Sequence, residues 1–286
     1  MCRAFMRNGS MFQRLINVRR ILGDWLQAGR NHTEAARRTR ILPAWVALGV
    51  VLVDFVLIGL SFRYMREMSI MEGAGAGVMV YLLRLSIVTA TLVFVCRYYR
   101  VSGVALGIRP SKMAADFRWS SRICIFWGST IAGAILAGFV IARCLGIRLP
   151  APPALMIQVL GDNYGLLQFI GIAALSGIVV VVLAPVTEEL IYRSVCLPVL
   201  ACRIGLVPAI GITAIIFGLA HVIPFGQVWI PVPEIIGGLL MAAGFAIRWS
   251  VIPAMVIHAM GNLVASMLLF IYVHLFKAYP SWFGSP

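Results

Sequence analysis

Long apolar runs recur along this chain and alternate with short polar or basic segments. Several of these runs approach the length that a helix needs to cross a hydrocarbon core of about 30 Å. They lie near residues 42–62, 74–96, 120–142, 164–187, 206–221, 234–247 and 251–276. The pattern predicts an all-α, polytopic bundle of about seven to eight transmembrane helices. The proline- and glycine-rich stretch 222–233 is expected to be either a loop or a re-entrant segment.

The composition agrees with a membrane protein. Hydrophobic residues make up 61% of the 286 residues and charged residues only 12%, which is unlike a soluble domain. The six cysteines are scattered, without the spacing of a thiolate metal site or of a secreted disulfide framework. We therefore expect the cysteines to be packing residues.

The formal net charge of +14 arises from basic clusters that flank apolar runs. Nine of the 24 basic residues lie within positions 1–40, and six more lie within positions 97–122. This distribution predicts a cytoplasmic N-terminus and contact with anionic lipids, and it requires no nucleic-acid partner. We expect a multi-pass protein of a bacterial cytoplasmic membrane without a removable signal peptide; Met6 and Met11 are alternative start sites.

We divide the chain into a basic cytoplasmic tail, 1–40, a set of generic membrane helices, 41–158, and a catalytic membrane core, 159–280. Arg84 is an exception to the apolar pattern because it lies midway through the second run. Such an arginine either snorkels to the interface or faces the interior of the bundle.

The candidate chemistry begins with Glu188 and Glu189, the only adjacent pair among the ten acidic residues. They end a strongly apolar run, and a charge at membrane depth indicates a functional site. Arg193 follows one helical turn later, on the same face as Glu189. Its guanidinium can hold one glutamate ionised and leave the other for proton transfer.

Two further patterns follow, Phe217 to His221 and His258 to Asn262, each with a four-residue spacing that places both side chains on one helix face. We expect Phe217 to be a packing residue. If the glutamate helix continues to about residue 202, Glu188 and His221 each lie about 15 residues from the next turn, so they come level. The spacing predicts a shared pocket in the cytoplasmic half of the membrane.

These three patterns, EExxxR, FxxxH and HxxxN in this order, resemble the CAAX protease and bacteriocin-processing (CPBP) family, also called Abi. That family is related to the type II CAAX prenyl endopeptidases. The resemblance covers about residues 160–265, and the segments 106–109 and 244–253 are also similar to the family.

The resemblance implies an intramembrane endopeptidase that cleaves a membrane-anchored protein or peptide without a cofactor. In a bacterium, a bacteriocin-like peptide or a C-terminal sorting anchor is a more natural substrate than a prenylated protein. Glu188 with His221 would activate water, and His258 with Asn262 would stabilise the oxyanion. Glu189 and Arg193 would support the first pair.

Zinc is the main alternative for the mechanism, because Glu188, His221 and His258 are suitable ligands for an open three-ligand site. We favour the metal-free mechanism, since no HExxH motif is present and since Asn262 and Arg193 have clearer roles around an oxyanion and a carboxylate. Ser194 or Cys196 as a nucleophile is disfavoured, because a Gly-x-Ser-x-Gly motif is absent.

Two further classes of function are compatible with intramembrane polar residues. One is a non-enzymatic immunity or scaffold protein that uses the polar side chains for packing. The other is a transporter with a proton relay, although the chain lacks paired inverted repeats with broken helices. The complete set of motif residues favours an enzyme.

Overall fold

The computed structural model describes residue 27 and residues 42–65, 70–152, 166–222 and 230–284. In this part of the chain seven helices follow one another, which confirms the predicted all-α class. They are α1 (Ala44–Met65), α2 (Ile70–Tyr99), α3 (Met113–Cys144), α4 (residues 166–204), α5 (Leu206–Ala220), α6 (Val232–Arg248) and α7 (Val251–Ala278). The basic tail and most of the 222–233 segment lie outside the described residues.

Five helical stretches among the described residues are long and apolar enough to cross a membrane. They are Ala44–Ser61, Glu72–Tyr99, Pro110–Cys144, Ile170–Ile204 and Val251–Ala278. With 15 and 17 residues, α5 and α6 reach only about 22–26 Å, less than the thickness of a hydrocarbon core. The chain is therefore an integral membrane protein in which two of the seven predicted spans are short.

The helix that carries the glutamates, α4, continues beyond the predicted boundary at residue 187 to Ile204. Two π-helical segments, Ile178–Leu183 and Leu190–Cys196, interrupt its α-helical geometry. Each π-helical segment is followed by a proline in the first turn of the next α-helical segment, Pro185 and Pro198. Proline lacks an N–H donor and crowds the preceding turn, and wider π turns accommodate this break in the hydrogen-bond pattern.

The same helix occupies the centre of the bundle, where α1, α2, α5 and α7 all contact it. The core between these helices contains Leu197, Val199 and Phe245, which are completely buried. Large apolar side chains such as Met79 and Phe94 are exposed on the outside. An apolar exterior of this kind suits a lipid environment and is unusual for a soluble monomer.

The segments 106–109 and 244–253 pack against each other. The N–H of Val251 donates to the carbonyl of Gly107 at 3.0 Å. Gly107 has a positive φ of 74°, and a Cβ atom there would lie 2.4 Å from the Phe245 ring. This close contact requires glycine and connects the loop before α3 to the turn between α6 and α7.

Arg84 faces the interior of the bundle. Its Nη2 atom lies 2.6 Å from Oδ1 of Asp54 on α1, and both side chains are almost completely buried. The structure therefore decides between the two sequence-based interpretations of Arg84. The ion pair joins α1 to α2 at membrane depth.

Candidate active site

The motif residues from α4, α5 and α7 meet in one place. His221 follows directly after the last residue of α5, and its Nε2 atom lies 4.0 Å from Oε2 of Glu188. His258, on the second turn of α7, places its Nε2 atom 3.9 Å from the same oxygen. The predicted helical hairpin thus brings Glu188 and His221 level, and both imidazoles face one carboxylate oxygen.

Glu189 is held by charged and polar groups on several sides. Its Oε2 atom lies 3.1 Å from Nε of Arg193, and Nη1 of the same guanidinium donates to Oε1 at 3.2 Å. Nδ1 of His258 lies 2.9 Å from Oε1. Arg193 also donates through Nη2 to the carbonyl of Gly238 on α6 at 3.0 Å. Glu189 is thus fixed to α7 directly and to α6 through Arg193, which suits a supporting residue better than a mobile base.

Glu188 is bound less tightly. The hydroxyl of Tyr81 on α2 donates to Oε1 over a long 3.5 Å. The other carboxylate oxygen, Oε2, is buried and has no hydrogen-bond partner in the described part of the protein. Oε2 of Glu189 is also buried without a hydrogen bond, but it lies 3.1 Å from Nε of Arg193 in an ion pair. Glu188 is therefore the glutamate with an oxygen available for a reacting molecule.

The hydrogen bonds of the two histidines determine which ring nitrogens face the site. Nδ1 of His221 lies 2.8 Å from the carbonyl oxygen of Phe217, and that oxygen can only accept, so Nδ1 carries the proton. By the same argument Nδ1 of His258 donates to the carboxylate of Glu189. Both Nε2 atoms are then directed at Glu188. The His221 side chain is 35% exposed, so the site opens on its side.

Phe217 packs beneath the polar residues, as the sequence analysis expected. Its ring centroid lies 4.6 Å from that of His221 and 5.5 Å from that of His258. The guanidinium carbon of Arg193 lies 4.6 Å from the ring centroid, within the range of a cation–π contact. The phenyl ring thus restricts both imidazoles and the supporting arginine at once.

Asn262 lies one turn after His258 on α7 and is half-buried. Its Nδ2 atom donates to the carbonyl of Val180 in the first π-helical segment of α4 at 2.8 Å. A carboxamide nitrogen carries two hydrogens, so one remains for another acceptor. The predicted oxyanion role of Asn262 stays a prediction.

Sequence reasoning did not identify three residues that the structure places around the glutamates. Besides Tyr81, these are Asp54 on α1 and Tyr192 on α4, whose hydroxyl donates to Oδ2 of Asp54 at 3.1 Å. A signal was present in the sequence, because Asp54 and Arg84 are charges within apolar runs. Their partners depend on helix packing and are not visible from spacing.

The alternative of a zinc site concerns the positions of its three candidate ligands, Glu188, His221 and His258. In the described part of the chain no group of three or more His, Cys, Asp and Glu side chains is placed to hold a metal ion. Direct zinc ligation requires bonds of about 2.0–2.2 Å from each donor. Nε2 of His221 and Nε2 of His258 lie 4.0 and 3.9 Å from Oε2 of Glu188. A reaction without zinc stays a prediction.

A large apolar groove lies elsewhere, between α1 and α2. It has a volume of about 640 Å³ and is lined by residues that include Trp45, Val50, Phe94 and Tyr98. Asp54 also lines the groove, whereas none of the seven motif residues does. The groove is therefore separate from the candidate active site.

The comparisons with known proteins concern the part of the chain that carries the site. Residues 170–264 match the family model described as type II CAAX prenyl endopeptidase Rce1-like. This match agrees with the resemblance carried by the three motifs and supports a membrane-embedded protease. No curated protein and no solved structure matches the chain.

Proposed function

We propose that this chain, with its Rce1-like endopeptidase region at residues 170–264, cleaves a peptide bond of a membrane-associated protein or peptide through glutamate-activated water. One observation carries the proposal: the buried Oε2 atom of Glu188, without a hydrogen-bond partner among the described residues, faces Nε2 of His221 and of His258. A carboxylate oxygen between two imidazoles is suited to bind and deprotonate a water molecule.

The geometry is compatible with one bridging water. With Nδ1 protonated, Nε2 of a neutral His221 is an acceptor, as is Oε2 of Glu188. A water that donates one hydrogen to each of two such acceptors separates them by about 4–4.5 Å. The 4.0 Å between Nε2 and Oε2 is close to this requirement.

The reaction then proceeds in two steps. Glu188 removes a proton from the water as the hydroxide oxygen bonds to the scissile carbonyl carbon, and the C=O π electrons move to the carbonyl oxygen. The oxyanion re-forms the carbonyl as the C–N bond breaks, and the leaving amine takes the proton from Glu188. The products are a carboxyl terminus and an amine terminus, so all atoms are accounted for.

Donors for the oxyanion come from α7. A protonated His258 donates from Nδ1 to Glu189 and from Nε2 into the site, and Asn262 retains one N–H. Such donors in a partly dehydrated site lower a barrier by about 3–4 kcal/mol each. Glu189 and Arg193 have a supporting role, because their pairing keeps the ring of His258 oriented.

The substrate class follows from the position of the site within a membrane bundle. A peptide bond close to the bilayer surface, carried by an anchored or lipid-modified chain, can reach the exposed side of His221. The matching family is described as acting on CAAX prenyl proteins, so a farnesylated CAAX peptide is the first probe. The same peptide with an acyl chain in place of the farnesyl group tests whether cleavage requires a prenyl group.

The decisive experiment uses the purified protein in proteoliposomes with both peptides and detects the products by mass spectrometry. Wild type and Glu188→Gln are compared, each with and without a strong zinc chelator. Glutamine retains size and polarity but removes the base. Loss of cleavage in the variant alone supports the glutamate mechanism, and loss with the chelator followed by rescue with zinc supports a metalloprotease. Wild type that cleaves neither peptide would overturn a CAAX-type substrate. Wild type that also leaves a bacteriocin-like peptide and a C-terminal sorting anchor intact would support an immunity or scaffold role.

We also propose that the N-terminal side is cytoplasmic and lies against anionic lipids, because the two basic clusters fall on one side of the predicted spans. An N-terminal tag digested by external protease in intact cells would contradict this orientation.

A further inference from the structure

We propose that Tyr81 on α2 is a positioning residue for Glu188 and that the buried pair of Asp54 and Arg84 holds Tyr81 in place. This inference deepens the proposed function and rests on Glu188 being the base. It extends the active site to α1 and α2, two helices that lie outside the family match at residues 170–264.

The first step of the argument is the contact with Glu188. The Tyr81 hydroxyl donates to Oε1 at 3.5 Å, while Oε2 of the same carboxylate faces the two histidines. A donor on one oxygen restricts rotation of the carboxylate and so determines where the other oxygen points. Among the described residues, this hydroxyl is the only hydrogen-bond donor to the Glu188 carboxylate.

The second step is the support of the tyrosine. Arg84 lies three residues after Tyr81, on the same face of α2, and its guanidinium carbon is 4.5 Å from the centroid of the tyrosine ring. Arg84 donates to Oδ1 of Asp54 through Nη2 at 2.6 Å and through Nε at 3.1 Å. The guanidinium is therefore fixed between a carboxylate and the ring.

The third step closes the network on α4. Oδ2 of Asp54 accepts a hydrogen bond from Tyr192 at 3.1 Å, and Tyr192 lies one turn after Glu188. Two hydrogen bonds therefore hold the turn of α4 that carries Glu188, one from Tyr81 to Glu188 and one from Tyr192 to Asp54. Both depend on the ion pair of Asp54 and Arg84. Dehydrating two charges is costly, and apolar residues could fill the same space at lower cost. A role in holding Tyr81 and Tyr192 explains the buried charges of Asp54 and Arg84 better than packing alone does.

The first test replaces Tyr81 by phenylalanine, which retains the ring against Arg84 and removes the hydroxyl. Loss of a hydrogen bond to a charged group predicts a fall in kcat of about tenfold, with KM changed by less than about twofold. Tyr98→Phe is the matched control, because Tyr98 lies on the same helix and is mostly exposed. Equal kcat values for wild type and Tyr81→Phe would overturn the proposal.

The second test concerns the ion pair. Single substitutions leave a buried charge unpaired and endanger folding, so the double variant Asp54→Asn with Arg84→Gln is used. We expect this neutral pair to fold, as judged by thermal unfolding in detergent, while kcat falls by about tenfold or more because Tyr81 loses its support. A folded double variant with wild-type kcat and KM would show that the pair is only structural.

A final comparison separates this inference from the proposed function. If wild type cleaves, Glu188→Gln does not, and Tyr81→Phe matches wild type, the inference alone fails. If wild type cleaves nothing, a double-mutant cycle of Tyr81→Phe and Glu188→Gln in thermal unfolding still reports the contact. Non-additive shifts in Tm would support the contact, and additive shifts would overturn it.

Discussion

Nδ1 of His258 lies 2.9 Å from Oε1 of Glu189, while Nε2 of the same ring lies 3.9 Å from Oε2 of Glu188. One imidazole therefore connects two glutamates that are adjacent in sequence, and it binds them differently. Glu189 accepts a short hydrogen bond and an ion pair with Arg193, whereas Glu188 has an oxygen directed at the two histidines. Four predictions depend on this asymmetry or on the packing that produces it.

Glu189→Gln should destabilise the protein much more than Glu188→Gln does. Arg193 is completely buried, and loss of its carboxylate leaves an uncompensated charge that costs about 3–5 kcal/mol. Glu188 has no arginine partner among the described residues, so its substitution should change the free energy of unfolding by about 1 kcal/mol or less. Thermal unfolding of both variants in detergent measures the difference, and equal Tm values would contradict the assignment.

His221→Gln should reduce kcat by about 100-fold or more, because the water that Glu188 deprotonates loses the acceptor that orients it. His274→Gln is a close control. Nδ1 of His274 lies 2.9 Å from the carbonyl of Phe270, the same four-residue arrangement that His221 makes with Phe217. His274 is exposed and far along α7 from the motif. Similar rates for the two variants would remove His221 from the reaction.

The variant Asn262→Ala distinguishes between two roles of Asn262, a donor to the oxyanion and a purely structural residue. If the second N–H stabilises the oxyanion, kcat should fall by about 100-fold to 1,000-fold at nearly unchanged KM. If Asn262 only holds Val180 in the π-helical segment, kcat should stay close to wild type and the free energy of unfolding should fall by about 1 kcal/mol. Steady-state kinetics and thermal unfolding on one preparation distinguish the two results.

Gly238→Ala should impair both folding and activity. A Cβ atom at Gly238 would lie 3.0 Å from Cα of Ala214 on α5, so α5 and α6 would have to separate. That movement would also displace the carbonyl that accepts from Arg193. Gly237→Ala is the control, because a Cβ there meets only the flexible end of Met241 at 3.8 Å. We expect a lower Tm for Gly238→Ala alone, and equal Tm values would show that this contact can relax.

The helices were predictable because the hydropathy of a segment is a local property that is sufficient to predict a membrane helix. Each predicted run corresponds to a helix in the described part of the chain, and the fold class is confirmed. The extension of α4 to Ile204 was not given by the apolar pattern, since polar residues such as Glu188 and Arg193 interrupt that pattern where the helix continues through the bundle. Burial among other helices, rather than contact with lipid, explains their presence there.

The motifs were predictable for a similar reason. Residues four apart on a helix share a face whatever the tertiary structure, so the pairing of Glu189 with Arg193 follows from spacing. The meeting of Glu188 with His221 required only a helical hairpin of known rise per residue. The predicted division at residues 40 and 158, and the catalytic role of each motif residue, stay predictions.

The sequence by itself determined the membrane-spanning helices, the acidic pair and the order of the three motifs, because hydropathy and spacing along a helix are local properties. Only the tertiary structure decided which glutamate is pinned and which is available, since His258 lies 69 residues from Glu189. It also brought Tyr81 to Glu188 across 107 residues and Tyr192 to Asp54 across 138. Contacts between distant residues depend on how whole helices pack, and spacing along one helix carries no information about them.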